Sequence, residues 1–227
     1  MSEFIIQAKS IYKSYISQKD IKIDVLKDVS IDIPRGKISV IIGASGAGKS
    51  TLLHILSGLD KADSGQIQFD TKEISKLSNR ELAKFRNFNL GFVFQFHHLL
   101  PEFSALENCM IPLLIRGKSQ SSSKKEAIKF LELVGIQERL NHKPAELSGG
   151  EQQRVAVARA LVTEPPIIFA DEPSGNLDST NSESLHNLFI SLRDSFNKSF
   201  VIVTHNKDLV KLADKVFELQ DGRLISE

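Results

Sequence analysis

The clearest chemical pattern in this sequence is a glycine-rich run that ends in Lys-Ser-Thr. It fits G-x-x-x-x-G-K-[ST] and follows an apolar run at residues 38–42. Glycines allow backbone angles that other residues avoid, so successive N–H groups can point at an anion, while the lysine adds a positive charge and the serine hydroxyl can ligate Mg²⁺. This phosphate loop therefore predicts a site for Mg²⁺ and a nucleoside triphosphate. Its residues are Gly43, Ala44, Ser45, Gly46, Ala47, Gly48, Lys49, Ser50 and Thr51.

The segments on either side of the phosphate loop support this interpretation. Residues 38–42 are rich in β-branched side chains, whereas residues 51–56 contain no proline and suit a helix. A strand, a loop and a helix in this order are the setting that the pattern requires. The alternative is a Gly/Ser-rich turn that happens to precede Lys-Ser, and it explains neither neighbour.

Two adjacent carboxylates, Asp171 and Glu172, follow the apolar run at residues 167–170. At the carboxyl end of a strand Asp171 could hold Mg²⁺ through its water shell, and Glu172 could polarise the water that attacks the γ-phosphate. Asp-Glu after a strand also begins ordinary turns. The phosphate loop upstream favours the catalytic interpretation.

A signature segment, residues 148–151, lies directly before a helical pattern. Ser148 suits the N-cap, and the helix start behind it predicts a second anion site. Gly149 and Gly150 each lower helix propensity by about 1 kcal/mol, so a simple cap does not account for them. They indicate close approach of a ligand, while Glu151 completes a capping pattern.

Composition narrows the class of protein. A chain of 227 residues with 29 basic and 28 acidic side chains has a net charge of +1, which argues against a nucleic-acid partner. The single cysteine, Cys109, excludes an internal disulfide and is expected to be buried. No secretory signal pattern and no run of about 18 apolar residues is present, so we expect a soluble intracellular protein.

Periodicity predicts an α/β fold. Turn signals join the early strands into an antiparallel sheet, and later strands alternate with helices as parallel crossover units. Residues 103–162 read as a helical insertion, with helices at 105–115, 123–134 and 150–162 and an exposed polar loop at 118–123. The predicted strands are residues 4–8, 25–33, 37–42, 66–69, 90–94, 167–170, 200–203 and 216–219.

From residue 15 onward the order of these motifs resembles the ATP-binding subunits of ABC transporters. The resemblance implies a P-loop NTPase (RecA-like) core with an antiparallel β subdomain and a helical insertion. It also implies one domain over residues 1–227, divided into a core and β subdomain at about 1–95 and 163–227 and a helical subdomain at about 96–162. ATP and Mg²⁺ are the implied ligands, and ATP hydrolysis is the implied reaction.

The resemblance also assigns roles to single residues. Gln95 matches a glutamine that touches Mg²⁺ and the attacking water, His205 a histidine that contacts the γ-phosphate, and Tyr15 an aromatic that stacks on adenine. Tyr12 is close to Tyr15, and either tyrosine could instead pack in the sheet. A glutamine, histidine or tyrosine seen alone is more often structural, and only the order and spacing favour these roles.

A complete site in this family needs two chains. The resemblance implies a head-to-tail homodimer in which Ser148, Gly149 and Gly150 of one copy cap the γ-phosphate on the phosphate loop of the other. Glu151 and Asp178 belong to segments that act in the same way. Hydrolysis would reopen the dimer and so produce movement.

The segment after Gln95 is unusually apolar for a surface loop, and we call residues 96–103 the docking loop. The resemblance implies that transmembrane permease subunits bind here, which would hold the chain at the cytoplasmic face of a bacterial inner membrane. Packing beneath the helical insertion is the alternative. The residues concerned are Phe96, His97, His98, Leu99, Leu100 and Phe103.

The docking loop most resembles that of ATPases from lipoprotein-releasing (Lol) transporters. Macrolide-exporter and cell-division ATPases are near relatives, and they remain an alternative. Ser174 departs mildly from the threonine usual in these relatives. Two rivals of other classes are a soluble ABC ATPase that acts on DNA or ribosomes, and a GTPase suggested by Asn206-Lys207-Asp208, whose spacing fails because Leu209 takes the place of the required acid.

Overall fold

The computed structural model describes residues 2–16 and 20–226. They form two compact units, the first within Met1–Lys84 and Ser199–Glu227 and the second within Phe85–Lys198. The strands are β1 Phe4–Ile16, β2 Lys22–Pro34, β3 Ile38–Ile42, β4 Ser64–Phe69, β5 Lys72–Glu73, β6 Leu90–Phe94, β7 Ile167–Asp171, β8 Ser199–Val203, β9 Lys215–Gln220 and β10 Arg223–Ser226. The helices are α1 Lys49–Leu56, α2 Asn79–Asn89, α3 Ala105–Ile115, α4 Gln120–Leu133, α5 Gly149–Leu161, α6 Ser179–Phe196 and α7 Lys207–Lys211.

The first unit contains the expected antiparallel sheet, with strand order β2-β1-β4-β5. Strand β1 pairs with β2 on one side and with β4 on the other. Its side chains Ile5, Ile6 and Ile11 are fully buried, which anchors the sheet to a hydrophobic core. Strand β5 has only two residues, which is too few for an alternating apolar and polar pattern to predict it from the sequence.

The same unit also holds a mainly parallel sheet in which β3 lies between β8 and β9. Ile41 is paired with Val203 of β8 and Phe217 of β9, both in parallel register, and β10 returns antiparallel to β9. Strands β3 and β8 are buried almost throughout, as expected of parallel strands covered on both faces. Both end at the sheet edge where the phosphate loop begins.

In the second unit, β6 and β7 pair in parallel and helix α5 packs on β6. A Cβ at Gly91 would lie 2.5 Å from the carbonyl oxygen of Ala160, so the absence of a side chain there permits this close approach. Helices α3 and α4 pack against α5, and Cys109 is buried among them with its pKa raised to about 12 by that burial. The helical segment between β6 and β7 is confirmed. The predicted subdomain bounds remain a prediction.

Residues 118–122 are exposed as predicted, but the prediction that the whole tract 118–123 is a loop is wrong. Helix α4 begins at Gln120, with Ser119 as its N-cap accepting the N–H of Ser122, so only the first part of the polar tract lies outside the helix. Ser123 is completely buried. Serine has an intermediate helix propensity, so a run of serines can continue a helix once Ser119 has capped it. The polar composition of the tract made this helix start hard to distinguish from a loop.

Among the described residues no helix combines the length and apolar character needed to cross a bilayer. Within the same ranges, no group of three or more histidine, cysteine, aspartate or glutamate side chains is arranged to hold a metal ion.

Candidate functional site

The phosphate loop joins the end of β3 to the start of α1. A Cβ at Gly43 would lie 2.1 Å from the carbonyl oxygen of Leu219, so no other residue fits there without moving β9. Gly46 and Gly48 have φ angles of 81° and 101°, in the region that favours glycine. The space beside Gly46 is open to at least 4 Å. These constraints fix the path of the loop backbone.

Helix α1 begins without a side-chain cap. Its N-cap is Gly48, and no acidic residue lies in its first turn. The Lys49 ammonium donates to the carbonyl oxygens of Gly43 and Ala44, each at 2.9 Å, and so lies across the loop. A positive helix end and an ammonium at the same loop fit a phosphate group. The exposed Ser50 hydroxyl next to them is a suitable oxygen ligand for Mg²⁺.

Tyr15 lies beside this helix start. Its hydroxyl donates to Oδ2 of Asp60 at 2.7 Å and also makes a hydrogen bond with Thr51. Partial burial and then Asp60 raise the pKa of Tyr15, and the Lys13 ammonium lies 5.0 Å from its ring centroid. Tyr15 is 43% exposed, so part of its side chain is accessible to a ligand. Tyr12 is paired with Ser64 of β4 instead.

His205 lies at the same sheet edge as the phosphate loop. The N–H of Thr204 donates to the carbonyl oxygen of Ile41 at 3.3 Å, which continues the pairing of β8 with β3 beyond the strand. His205 follows directly and is exposed. The first unit therefore brings the phosphate loop, Tyr15 and His205 to one region.

The second unit places Gln95 beside the two carboxylates. Phe94 is the register partner of Asp171, so Gln95 and Glu172 are the residues that directly follow two adjacent parallel strands. Glu172 has a φ angle of 44°, and its carbonyl oxygen accepts the N–H of Gly175 at 3.0 Å. This turn brings Gly175 and the residue after it back to Gln95.

Ser148 caps helix α5 through a reciprocal capping box. Its hydroxyl oxygen accepts the N–H of Glu151 at 3.3 Å, while the Glu151 carboxylate accepts from the N–H and hydroxyl of Ser148, each at 2.8 Å. Arg139 donates to the same carboxylate at 3.0 Å. The hydrogen bonds from the Ser148 N–H and hydroxyl, followed by Arg139, lower the pKa of Glu151 to about 2.

The two glycines of the signature segment differ. Gly149 is exposed, and a Cβ there would meet no neighbouring atom within 4 Å, which is what approach by a ligand requires. Gly150 is buried, and a Cβ there would lie 2.4 Å from Oδ1 of Asn181. Asn181 in turn bonds through its N–H and side-chain amide to Asp178, at 2.8 and 2.7 Å. The close packing of Asn181 therefore explains the glycine at position 150, and the sequence alone did not indicate this contact.

The docking loop is exposed at its tips and held firmly at its backbone. Phe96 is 70% exposed, and Leu100 and Phe103 are also exposed. His97 and His98 have positive φ angles, and the Arg159 guanidinium donates to both of their carbonyl oxygens at 2.6 Å. Because the backbone of the loop is already ordered, binding of a partner costs little further conformational entropy.

Two residues that organise the docking loop escaped the sequence reasoning. Asn108 is fully buried, and its side chain bonds to both backbone groups of Leu100 and to the carbonyl oxygens of Phe103 and Ser104. Arg159 is the other. Both lie within helices, where a polar residue at one position looks like part of a solvated face. The available signal was an asparagine in the mostly apolar helix α3.

Similarity to known proteins identifies the family of this chain. The family model described as ABC transporter matches residues 26–175. The lipoprotein-releasing system ATP-binding protein LolD of Porphyromonas gingivalis is 53% identical over 223 residues, which cover 98% of this chain and 100% of that protein. This chain belongs to the ABC transporter family. The LolD of Bacteroides fragilis is 49% identical over 221 residues, or 97% of this chain and 100% of that protein.

Solved structures agree in fold as well. The dimeric structure of the ATP-binding cassette MJ0796 in a post-hydrolysis state with ADP and Pi superposes with a TM-score of 0.90 at 37% identity, covering 97% of each chain. The cassette cbiO1 of Clostridium perfringens has a TM-score of 0.86 at 28% identity, covering 99% of this chain and 88% of that one. The predicted ABC ATPase fold, with its parallel and antiparallel sheets, is confirmed.

Proposed function

We propose that this chain is the ATP-hydrolysing subunit of an ABC transporter that releases lipoproteins from the bacterial inner membrane. The observation that carries the ATP part is the uncapped start of α1, with the Lys49 ammonium lying across the phosphate loop. The lipoprotein part rests on full-length similarity to proteins named for that system, from 46% to 53% identity among those compared. No observation favours a macrolide-exporter or cell-division system over it.

The residues take distinct roles in this proposal. Lys49 and the N–H groups of the phosphate loop bind the phosphates, with Ser50 and Asp171 as holders of Mg²⁺, whose charge would neutralise the phosphate oxygens. Glu172 takes the proton of the attacking water.

Three further side chains would contact the nucleotide, the metal or the water. Gln95 orients the water and Mg²⁺, His205 senses the γ-phosphate, and Tyr15 stacks on the base. For Tyr15, the hydrogen bond to Asp60 and the exposure of the residue support this assignment.

A second copy of the chain is the proposed first partner. Ser148 and Gly149 are exposed at the start of α5, as a surface that contacts another copy must be. The MJ0796 cassettes are described as dimeric. Glu151 and Asp178 would hold this surface in shape, because each caps a helix there.

Transmembrane permease subunits are the proposed second partner, bound at the docking loop. Exposed Phe96, Leu100 and Phe103 offer apolar anchors for a permease helix. This contact would hold the chain peripherally at the cytoplasmic face of the inner membrane. Nucleic acid is not a proposed partner.

The GTPase alternative finds no support in the first unit. Asn206 is the N-cap of α7, and its side-chain oxygen accepts the N–H of Asp208 at 2.8 Å. A residue committed to its own helix in this way does not present its amide to a guanine base.

The test of this proposal is Glu172→Gln. Loss of the general base should slow ATP hydrolysis by about 100-fold or more while ATP binding is kept, so an ATP-bound dimer accumulates in size-exclusion chromatography. Glu183→Gln, an exposed acid on α6, is the matched control and should turn over ATP normally. Turnover by Glu172→Gln within about threefold of wild type would refute the assignment of the base.

Transport needs its own measurement. The chain should co-purify in detergent with integral membrane subunits, and the reconstituted complex should release an acylated lipoprotein from proteoliposomes in an ATP-dependent manner. Release of a macrolide but not of lipoprotein would favour the exporter alternative. An ATPase with no membrane subunit would favour a soluble ABC protein.

A further inference from the structure

Gln95 is held by a pair of hydrogen bonds to one residue, Asn176. The Gln95 side-chain Nε2 donates to Oδ1 of Asn176 at 3.2 Å. In return, Nδ2 of Asn176 donates to the main-chain carbonyl oxygen of Gln95 at 3.1 Å. Asn176 therefore binds both the backbone and the side chain of the same residue.

This pair fixes which way the Gln95 amide faces. A main-chain carbonyl oxygen can only accept, so the Asn176 group next to it must be the NH₂. The Asn176 oxygen then faces the Gln95 side chain, which must present its own NH₂ to it. Consequently Oε1 of Gln95 points away from Asn176, and it makes no hydrogen bond to any other described residue.

The turn after β7 is shaped to hold this pair. The N–H of Gly175 donates to the carbonyl oxygen of Glu172, which folds the chain back over Gln95. A Cβ at Gly175 would lie 2.9 Å from Nε2 of Gln95 and 3.3 Å from the Glu172 oxygen. Gly175 does not have a positive φ, so its small size rather than its backbone angle is what the site uses.

We infer that Asn176 is a positioning residue that turns the Gln95 amide so that its oxygen, and not its nitrogen, faces Mg²⁺ and the attacking water. An amide oxygen can ligate Mg²⁺ and accept from water, whereas an NH₂ group can do neither. Without Asn176 the amide is free to flip, and part of the population presents the wrong group. This inference rests on the role proposed above for Gln95.

A direct test needs no hydrolysis. The side-chain amide protons of Gln95 should exchange with solvent more slowly than those of an exposed glutamine, and Asn176→Ala should speed this exchange by about fivefold or more in NMR spectra of the nucleotide-free protein. Asn187→Ala, at an exposed position of α6, is the matched control and should leave it unchanged. Equal exchange in wild type and Asn176→Ala would overturn the inference.

The kinetic test is a double-mutant cycle. Asn176→Ala should lower kcat by about tenfold with ATP affinity within about twofold of wild type, because ATP binds through the phosphate loop. In a Gln95→Ala background the same change should have no further effect, since Asn176 acts through Gln95. A tenfold loss that persists in that background would overturn the inference.

Gly175→Ala provides a second, independent variant. Its new methyl group should displace the Gln95 amide and reproduce the kinetic effect of Asn176→Ala, so the inference stays testable if the latter folds poorly. Full activity of Gly175→Ala despite a displaced Gln95 amide signal would contradict it. Failure of the proposed function looks different, because ATP turnover would then not depend on Glu172 at all.

Discussion

Helices α1 and α5 both have glycine at their N-terminal ends, yet their first turns are capped in opposite ways. Helix α1 has Gly48 as its N-cap, no side-chain cap and no acidic residue in its first turn. Helix α5 has Ser148 as its N-cap and Glu151 in a complete capping box. One positive helix end is left for an external anion, whereas the other already carries its own carboxylate.

A glycine-rich helix start therefore does not by itself make a phosphate site. Lys49 adds positive charge at α1, and the space beside Gly46 is open. At α5 the Glu151 carboxylate uses the N–H and hydroxyl of Ser148. A phosphate supplied by another copy would therefore meet a polar but anionic surface, and alignment by the partner, rather than charge, would determine its binding.

The largest effect is expected at α1. Lys49→Ala removes the cation from the phosphate loop and should weaken ATP binding by about 100-fold, because charge-assisted hydrogen bonds to phosphate are the strong ones. Fluorescent-nucleotide titration measures this. Lys76→Ala, with a side chain 73% exposed, is the control and should bind normally. If the ATP affinity of Lys49→Ala lies within about threefold of wild type, the claim that α1 differs from α5 as a phosphate site is wrong.

An intermediate effect is expected from the two glycines of α5. Gly150→Ala pushes a methyl group against Asn181 and should lower the free energy of unfolding by about 1–3 kcal/mol. Gly149→Ala meets open space and should raise it by up to about 1 kcal/mol, because alanine favours helix.

Urea denaturation distinguishes these two variants. Gly149→Ala should also reduce ATP-dependent dimerisation, since its exposed surface is proposed to meet the partner. If both alanines change stability equally, the distinction between a packing glycine and an approach glycine is wrong.

The smallest effect concerns pH. The pKa of Glu151 is about 2 in the folded protein, below its ordinary value of 4.5, so its stabilising contribution is complete above pH 4.5 and is lost as the pH falls toward 2. Glu151→Gln keeps the capping pattern without the charge. Its Tm should lie about 2 °C below wild type at pH 7, and this gap should close near pH 2. A gap that is constant with pH would show that the charge is not involved.

Local patterns indicate the parts of the proposed site that follow strands. The phosphate loop, Asp171 and Glu172 lie at strand ends, where an apolar run is followed at once by these polar residues. The sequence could not show that Asn181 fills the space at Gly150, or that Asn176 pairs with Gln95. Each of these contacts joins residues far apart in the chain, and asparagine has no periodicity that marks a buried partner.

The helical segment was predicted less completely for a related reason. Helix α3 was predicted with its observed bounds because its apolar residues are dense, whereas the start of α4 was concealed in a run of serines. A capping serine and a loop serine look alike until the following residues are known to be helical. Arg159 was overlooked because its guanidinium binds backbone carbonyl oxygens, which leave no trace in the sequence.

The way Arg159 holds the docking loop bears on how this surface can change. Every amino acid has a carbonyl oxygen, so the grip on residues 97 and 98 survives substitution of either side chain. The positive φ angles restrict the choice, toward residues such as asparagine and glycine. A common frame can thus accept new recognition side chains, and binding specificity can diverge while the loop keeps its shape.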